Sequence, residues 1–112
     1  ELGSGDGLKT KILLSFFHEK GLDFRFVPID ISEETVAKLV GELNREIPDL
    51  TVNGQIGDYF DVIQELNPDN KIKKIIFFLG SNIGNYNYAE SLEFFKHLKS
   101  VMNLHDQLFS IL

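Results

Sequence analysis

The sequence predicts an α/β fold in which an open, mostly parallel sheet carries helices on both faces. Three observations predict it. Short apolar or β-branched runs alternate with segments of helical periodicity, the pattern of strands joined by crossover helices. A glycine-bearing turn, Gly3-Ser4-Gly5-Asp6-Gly7, opens directly into the first helical run. Polar residues then recur where strands are expected to end, the edge at which an open parallel sheet binds its ligands.

In chain order, Leu8 to Lys20 carries apolar residues at Leu8, Ile12, Leu13, Phe16 and Phe17, a helical stripe, with Gly21 where a C-terminal cap is expected. Phe24 to Ile31 is short, aromatic and β-branched, which predicts a buried strand ending near Asp30; Pro28 removes one ladder donor. Ser32 caps a second helix, Glu33 and Glu34 suit its positive end, and Val36, Leu39, Val40, Leu43 and Ile47 form its buried stripe up to Pro48. Thr51 to Ile56 predicts a short strand, Phe60 to Leu66 a short helix, and Asn67-Pro68-Asp69-Asn70 a turn. Lys74 to Leu79 is the most apolar strand, followed by the polar loop Gly80 to Asn85. Asn87 caps a last helix with Leu92, Phe94, Phe95, Leu98 and Met102 on its apolar side, and Leu108 to Leu112 forms or begins a final strand.

Composition narrows the function classes. With 112 residues, 43% hydrophobic and 25% charged, the chain is one globular domain or part of one. A net charge of -6 argues against a nucleic-acid partner, because phosphate binding needs clustered Lys and Arg. The absence of cysteine removes disulfides and thiolate chemistry and fits a reducing compartment, so a cytoplasmic location is expected. No apolar run approaches the roughly 18 residues of a membrane span. No His or Cys cluster has metal-ligand spacing, so no metal is expected.

The opening turn carries the strongest functional signal. Alternate glycines let the backbone turn with positive φ and admit a ligand where a Cβ would clash, and the helix that follows presents unpaired N–H groups. Leu8 stands where the dinucleotide fingerprint wants its third glycine, and Glu1 precedes the first glycine in place of an apolar residue. Both differences favour a mononucleoside cofactor without a pyrophosphate. Such a turn normally follows a strand of about 5–6 residues, so the chain is expected to be an excerpt of a longer domain.

Three further positions converge with this turn if the strands are parallel. Asp30, about 20 to 25 residues beyond the glycines, is placed to accept hydrogen bonds from both ribose hydroxyls; its structural alternative is a strand-end or capping acid. Asp58 and Tyr59 suit an adenine, the carboxylate accepting from the exocyclic amine and the ring packing near the purine, or else form a turn aspartate and a core tyrosine. Lys11, one turn into the helix, is within reach of a ligand carboxylate. His18, His97 and His105 read as surface or packing residues. Ser81 lacks both a nucleophile-elbow pattern and an associated histidine.

Glu1-Leu2-Gly3-Ser4-Gly5 resembles the first motif of class I S-adenosylmethionine methyltransferases. The segments Ser4 to Lys11, Val27 to Ser32 and Phe78 to Asn85 are similar to the histidine-specific methyltransferase family of the ergothioneine pathway, in order and spacing across nearly all of the chain. The resemblance implies a Rossmann-like class I sheet, S-adenosyl-L-methionine as cofactor and methyl transfer to the α-amine of an amino acid, histidine. It implies that Gly3, Ser4 and Gly5 meet the methionine part of the cofactor, Lys11 its carboxylate, Asp30 the ribose, and Asp58 with Tyr59 the adenine. Gly80 and Asn85 match the family's amino-acid substrate positions, while Tyr59 and Asn82 depart from the family's usual phenylalanine and threonine. The substrate groups around an imidazole are expected outside residues 1–112. No general base is assigned, since both aspartates are engaged by the cofactor. Two other readings share the sheet: an NAD-dependent oxidoreductase, and a binding or regulatory domain without turnover.

Overall fold

Helices and short parallel strands alternate along the chain in a computed structural model that describes residues 1–3, 7–66, 72–79 and 87–110. The elements are α1 (Leu8–Glu19), β1 (Arg25–Phe26), β2 (Ile29–Asp30), α2 (Glu33–Glu46), β3 (Thr51–Val52), β4 (Gln55–Ile56), α3 (Tyr59–Leu66), β5 (Ile75–Phe78), α4 (Tyr88–Val101) and β6 (Gln107–Ser110). Strands pair in parallel as β1 with β3, β2 with β4, and β5 with β6. The result is a mixed α/β architecture of short parallel pairs.

The expected strand from Phe24 to Ile31 is divided into β1 and β2, and its neighbour is divided likewise. The physical cause is Pro28, which has no N–H for the ladder. Register nevertheless runs through the break, because Arg25 faces Thr51 and Ile29 faces Gln55, the same offset. Asn53 N donates to Phe26 O at 2.9 Å and Gln55 N to Pro28 O at 2.9 Å across the interruption. The proline therefore costs a donor without shifting the pairing.

The opening residues are hydrogen-bonded on both sides. Ile29 N donates to Glu1 O at 2.8 Å and Gly3 N to Ile29 O at 2.9 Å, while Leu2 N donates to Phe77 O at 2.8 Å. Leu2 thus lies between β2 and β5, almost completely buried.

Two apolar clusters hold the elements together. One gathers Leu2, Ile29, Val62, Ile63, Ile76, Phe78, Leu98 and Val101 beneath α3 and α4. The other joins Leu14, Phe26, Leu39, Leu43, Ile47 and Leu50 under α1 and α2. Phe26 and Ile29 have opposite parity along the extended chain, so the two clusters take opposite faces. Burial of each large side chain contributes roughly 1.5–3 kcal/mol, and Leu43 and Leu98, both fully buried, anchor their helices.

Sequence patterns placed the helix ends well. Ser32 Oγ accepts from Thr35 N at 3.2 Å, and Asn87 forms a reciprocal capping box with Glu90. Gly21, at φ 71°, ends α1 with Gly21 N donating to His18 O and Leu22 N to Phe17 O, the paired bonds of a Schellman motif. The buried stripe of α2 falls as expected on Val36, Leu39, Leu43 and Ile47.

Of the stripe read on α1 only Phe17 lies on the inward side. Leu8, Ile12 and Phe16 are 64%, 69% and 53% exposed, while Thr10 and Leu14 are buried. Gly7 starts the helix and packs against Leu39, which turns the Thr10, Leu14 and Phe17 side inward. Leu92 is also exposed, leaving α4 to pack through Phe94, Phe95, Leu98 and Val101. The predicted turn Asn67 to Asn70 and the loop from Gly80 to Asn85 lie outside the described residues. No helix among the described residues is long and apolar enough to cross a membrane.

Candidate functional site

Within each pair, parallel register brings the carboxyl ends of the two strands side by side. The hydrogen bond from Gly3 N to Ile29 O sets the glycine turn beside the end of β2, and Gly57 N donates to Asp30 O at 3.1 Å, setting the end of β4 there too. Leu2, bonded to Phe77, brings the end of β5 to the other side. Gly3, Asp30, Asp58 and Leu79, far apart in sequence, therefore end neighbouring segments. Ser4, Gly5, Gly80 and Asn85 lie outside the described residues.

Asp30 is half-buried, and its Oδ1 accepts from Ser32 N at 3.0 Å, which turns the chain from β2 into α2. Asp58 is exposed and starts α3: its Oδ1 accepts from Phe60 N at 2.9 Å and its carbonyl from Val62 N at 3.1 Å. Each aspartate thus performs the local role that was its structural alternative, using one carboxylate oxygen. Oδ2 of each carries no hydrogen bond among the described residues. Tyr59 is half-buried and meets the Phe78 ring edge-on, centroids 6.5 Å apart at 69°. Its ring is a packing link between α3 and β5.

At the helix end of the glycine turn, Gly7 sits at φ 65° and its carbonyl accepts the first helical bond, from Lys11 N at 2.8 Å. A Cβ there would stand 2.6 Å from Leu39 Cδ1. Left-handed backbone disfavours any L side chain, so Gly7→Ala is expected to lower stability by about 1–2 kcal/mol, read as a reduced denaturant midpoint at unchanged slope.

Lys11 has partners of its own within the fold. Its Nζ lies 2.5 Å from Glu42 Oε2 and 3.7 Å from Glu46 Oε1 on α2. The hydrogen bond to Glu42 holds the ammonium above its ordinary range and the Glu42 carboxyl below its own. Two residues here escaped the reading of the sequence, Glu42 and Thr10. Thr10 is 2% exposed and its hydroxyl donates to Glu1 Oε2. A signal existed, since Thr10, Leu14 and Phe17 share the i, i+4, i+7 spacing of one helix face.

The histidines lie away from this edge. His97 stacks on Phe60 with centroids 3.8 Å apart, a packing role on an exposed residue, and His18 closes the C-terminal cap of α1. Among the described residues no three acidic or histidine side chains gather as a metal site.

The family of histidine-specific, S-adenosylmethionine-dependent methyltransferases matches residues 1–110. The chain belongs to this family. It is 32% identical over 108 residues to a histidine N-alpha-methyltransferase of Mycobacterium tuberculosis, with 96% of the chain and 33% of that protein covered. It is also 32% identical over 115 residues to ergothioneine biosynthesis protein 1 of Schizosaccharomyces pombe, covering 96% of the chain and 15% of that protein. A second histidine N-alpha-methyltransferase, from Mycolicibacterium smegmatis, is 29% identical over 108 residues, with 96% of the chain and 33% of that protein covered. The chain thus spans a third or less of the length of these relatives. Neither the family nor these relatives favour a nicotinamide enzyme or a domain without turnover.

Proposed function

We propose that the whole protein is an S-adenosylmethionine-dependent N-methyltransferase acting on the α-amine of histidine, and that residues 1–112 supply its cofactor-binding part. One observation carries this reading within the fold: Gly3, Asp30 and Asp58 stand at the ends of adjoining segments. Hydrogen bonds from the opening residues to both β2 and β5 support joining the strand pairs into one Rossmann-like class I sheet with Leu2 near its centre. The groups that surround the imidazole would come from regions outside these residues. The cytoplasm is the proposed location, in keeping with a cysteine-free sequence.

The residues present fit the cofactor chemically. Ribose hydroxyls and an exocyclic amine are hydrogen-bond donors, and Asp30 and Asp58 each keep one carboxylate oxygen without a partner among the described residues. Gly3, at φ 63°, starts the turn with the backbone that a close ligand approach requires. When bound, S-adenosylmethionine supplies a sulfonium methyl group open to in-line displacement by an amine nitrogen. In this reading Asp30 holds the ribose and Asp58 the adenine amine, with Tyr59 fixing the start of α3 against Phe78. Lys11 has three donors, so its ammonium can keep Glu42 while reaching the cofactor carboxylate. Gly3, Ser4 and Gly5 line the methionine part, and Gly80 and Asn85 meet the amino-acid substrate. Catalysis then rests on position and field, with the substrate amine neutral.

The full-length protein is expected to methylate histidine when offered a panel of amino acids with S-adenosylmethionine, read by mass spectrometry of the products. Cofactor binding with no methylated amino acid would overturn the catalytic assignment.

A further inference from the structure

We propose that Thr10 is a positioning residue for the glycine turn, acting through Glu1, a role that rests on the methyltransferase reading above. Thr10 is the one polar residue buried as a whole among the described residues, and its hydroxyl donates to Glu1 Oε2. Glu1 is itself fixed in the backbone ladder: its carbonyl accepts from Ile29 N at 2.8 Å and its amino nitrogen donates to Val27 O at 2.8 Å. The side chain of the residue before the Leu2 bridge is thereby tied to the first turn of the helix that follows.

This bond spans the whole glycine turn. One end of the turn leaves the sheet at Gly3, bonded to Ile29 O, and the other enters α1 at Gly7, packed on Leu39. A stretch with alternate glycines has more conformational freedom to lose on ordering than one of other composition. A hydrogen bond between the two flanks holds the ends of the stretch in place before a ligand arrives, so less ordering is required on binding. Surface placement would let water replace the threonine hydroxyl. At 2% exposure the threonine hydroxyl is itself shielded from water, and its loss removes one donor from the Glu1 carboxylate. The acid before the first glycine then has an internal task, holding the turn, that requires no contact with the cofactor.

The test uses the full-length protein and two ligands, S-adenosylhomocysteine and 5′-methylthioadenosine, which lacks the amino-acid part that the turn is proposed to hold. Calorimetry on Thr10→Val is expected to show about tenfold weaker S-adenosylhomocysteine binding, with 5′-methylthioadenosine changed less than threefold. Thr10→Ser, which keeps the hydroxyl, should return S-adenosylhomocysteine affinity to within about threefold of wild type. Glu1→Ala should weaken the same ligand, and the double variant Glu1→Ala with Thr10→Val should be no weaker than the poorer single one, as expected of one shared interaction. Equal affinities in wild type and Thr10→Val, or equal losses for both ligands, would overturn the clamp alone. Failure of the wild-type protein to bind either nucleoside would overturn the functional reading together with it.

Discussion

Asp106→Ala is expected to lower the stability of the fold by about 3 kcal/mol, the cost of breaking a buried ion pair by removing one partner. The Asp106 side chain is 1% exposed and its Oδ2 lies 2.9 Å from Lys74 Nζ, itself mostly buried. The same carboxylate accepts from Lys74 N at 3.0 Å and from Asn103 N at 2.8 Å, tying the start of β5 to the approach to β6. Without it, a buried ammonium loses its counter-charge and two backbone donors lose their acceptor. Burial alone would raise the Asp106 pKa, but the Lys74 and Asn103 hydrogen bonds and the Lys74 charge outweigh it and hold the carboxyl below its ordinary range. A depressed carboxyl pKa stabilises the fold above the unfolded value of about 4, and the contribution is lost as pH falls through the folded value. Denaturant midpoints of wild type and Asp106→Ala should therefore differ widely at pH 7 and converge in acid below pH 4. Equal midpoints at pH 7 would contradict the assignment.

Asp30→Ala is expected to weaken S-adenosylhomocysteine binding by about 2 kcal/mol, roughly thirtyfold, through loss of hydrogen bonds to a charged acceptor. Because Asp30 Oδ1 also accepts from Ser32 N, alanine removes a local turn contact as well. Asp30→Asn separates the two effects: its amide oxygen can retain the Ser32 bond, while its amide nitrogen donates and cannot accept from a hydroxyl. Equal weakening in both variants, with wild-type melting behaviour for Asp30→Asn, assigns the loss to the ribose. Unchanged affinity in Asp30→Asn would remove Asp30 from the site.

Elements whose residues signal locally were legible in the sequence. Ser32 and Asn87 as caps, Gly21 as a C-terminal signal and the stripe of α2 all act within one or two helical turns. The face of α1 was misread because Leu8, Ile12 and Phe16 form a good apolar stripe, whereas the inward side is set by tertiary contacts of Gly7 with Leu39. Long-range partners left no pattern at all. Lys74 and Asp106 are 32 residues apart, and Lys11 and Glu42 are 31 apart, so neither pair shares a local period. Within the site, the strand-end positions of Asp30 and Asp58 followed from the parallel alternation. Their local use as turn and helix-start acceptors was already the structural alternative open in the sequence, whereas the hydrogen bond from Thr10 to Glu1 left no local pattern. The glycine turn was legible as a cradle; how its flanks are tied together was not.

The central claim is that this strand-end edge binds S-adenosylmethionine. Calorimetric titration of the full-length protein with S-adenosylhomocysteine and, separately, with NAD tests it most directly. The account predicts saturable binding of S-adenosylhomocysteine, weakened in Asp30→Asn, and no binding of NAD; binding of NAD alone would contradict it.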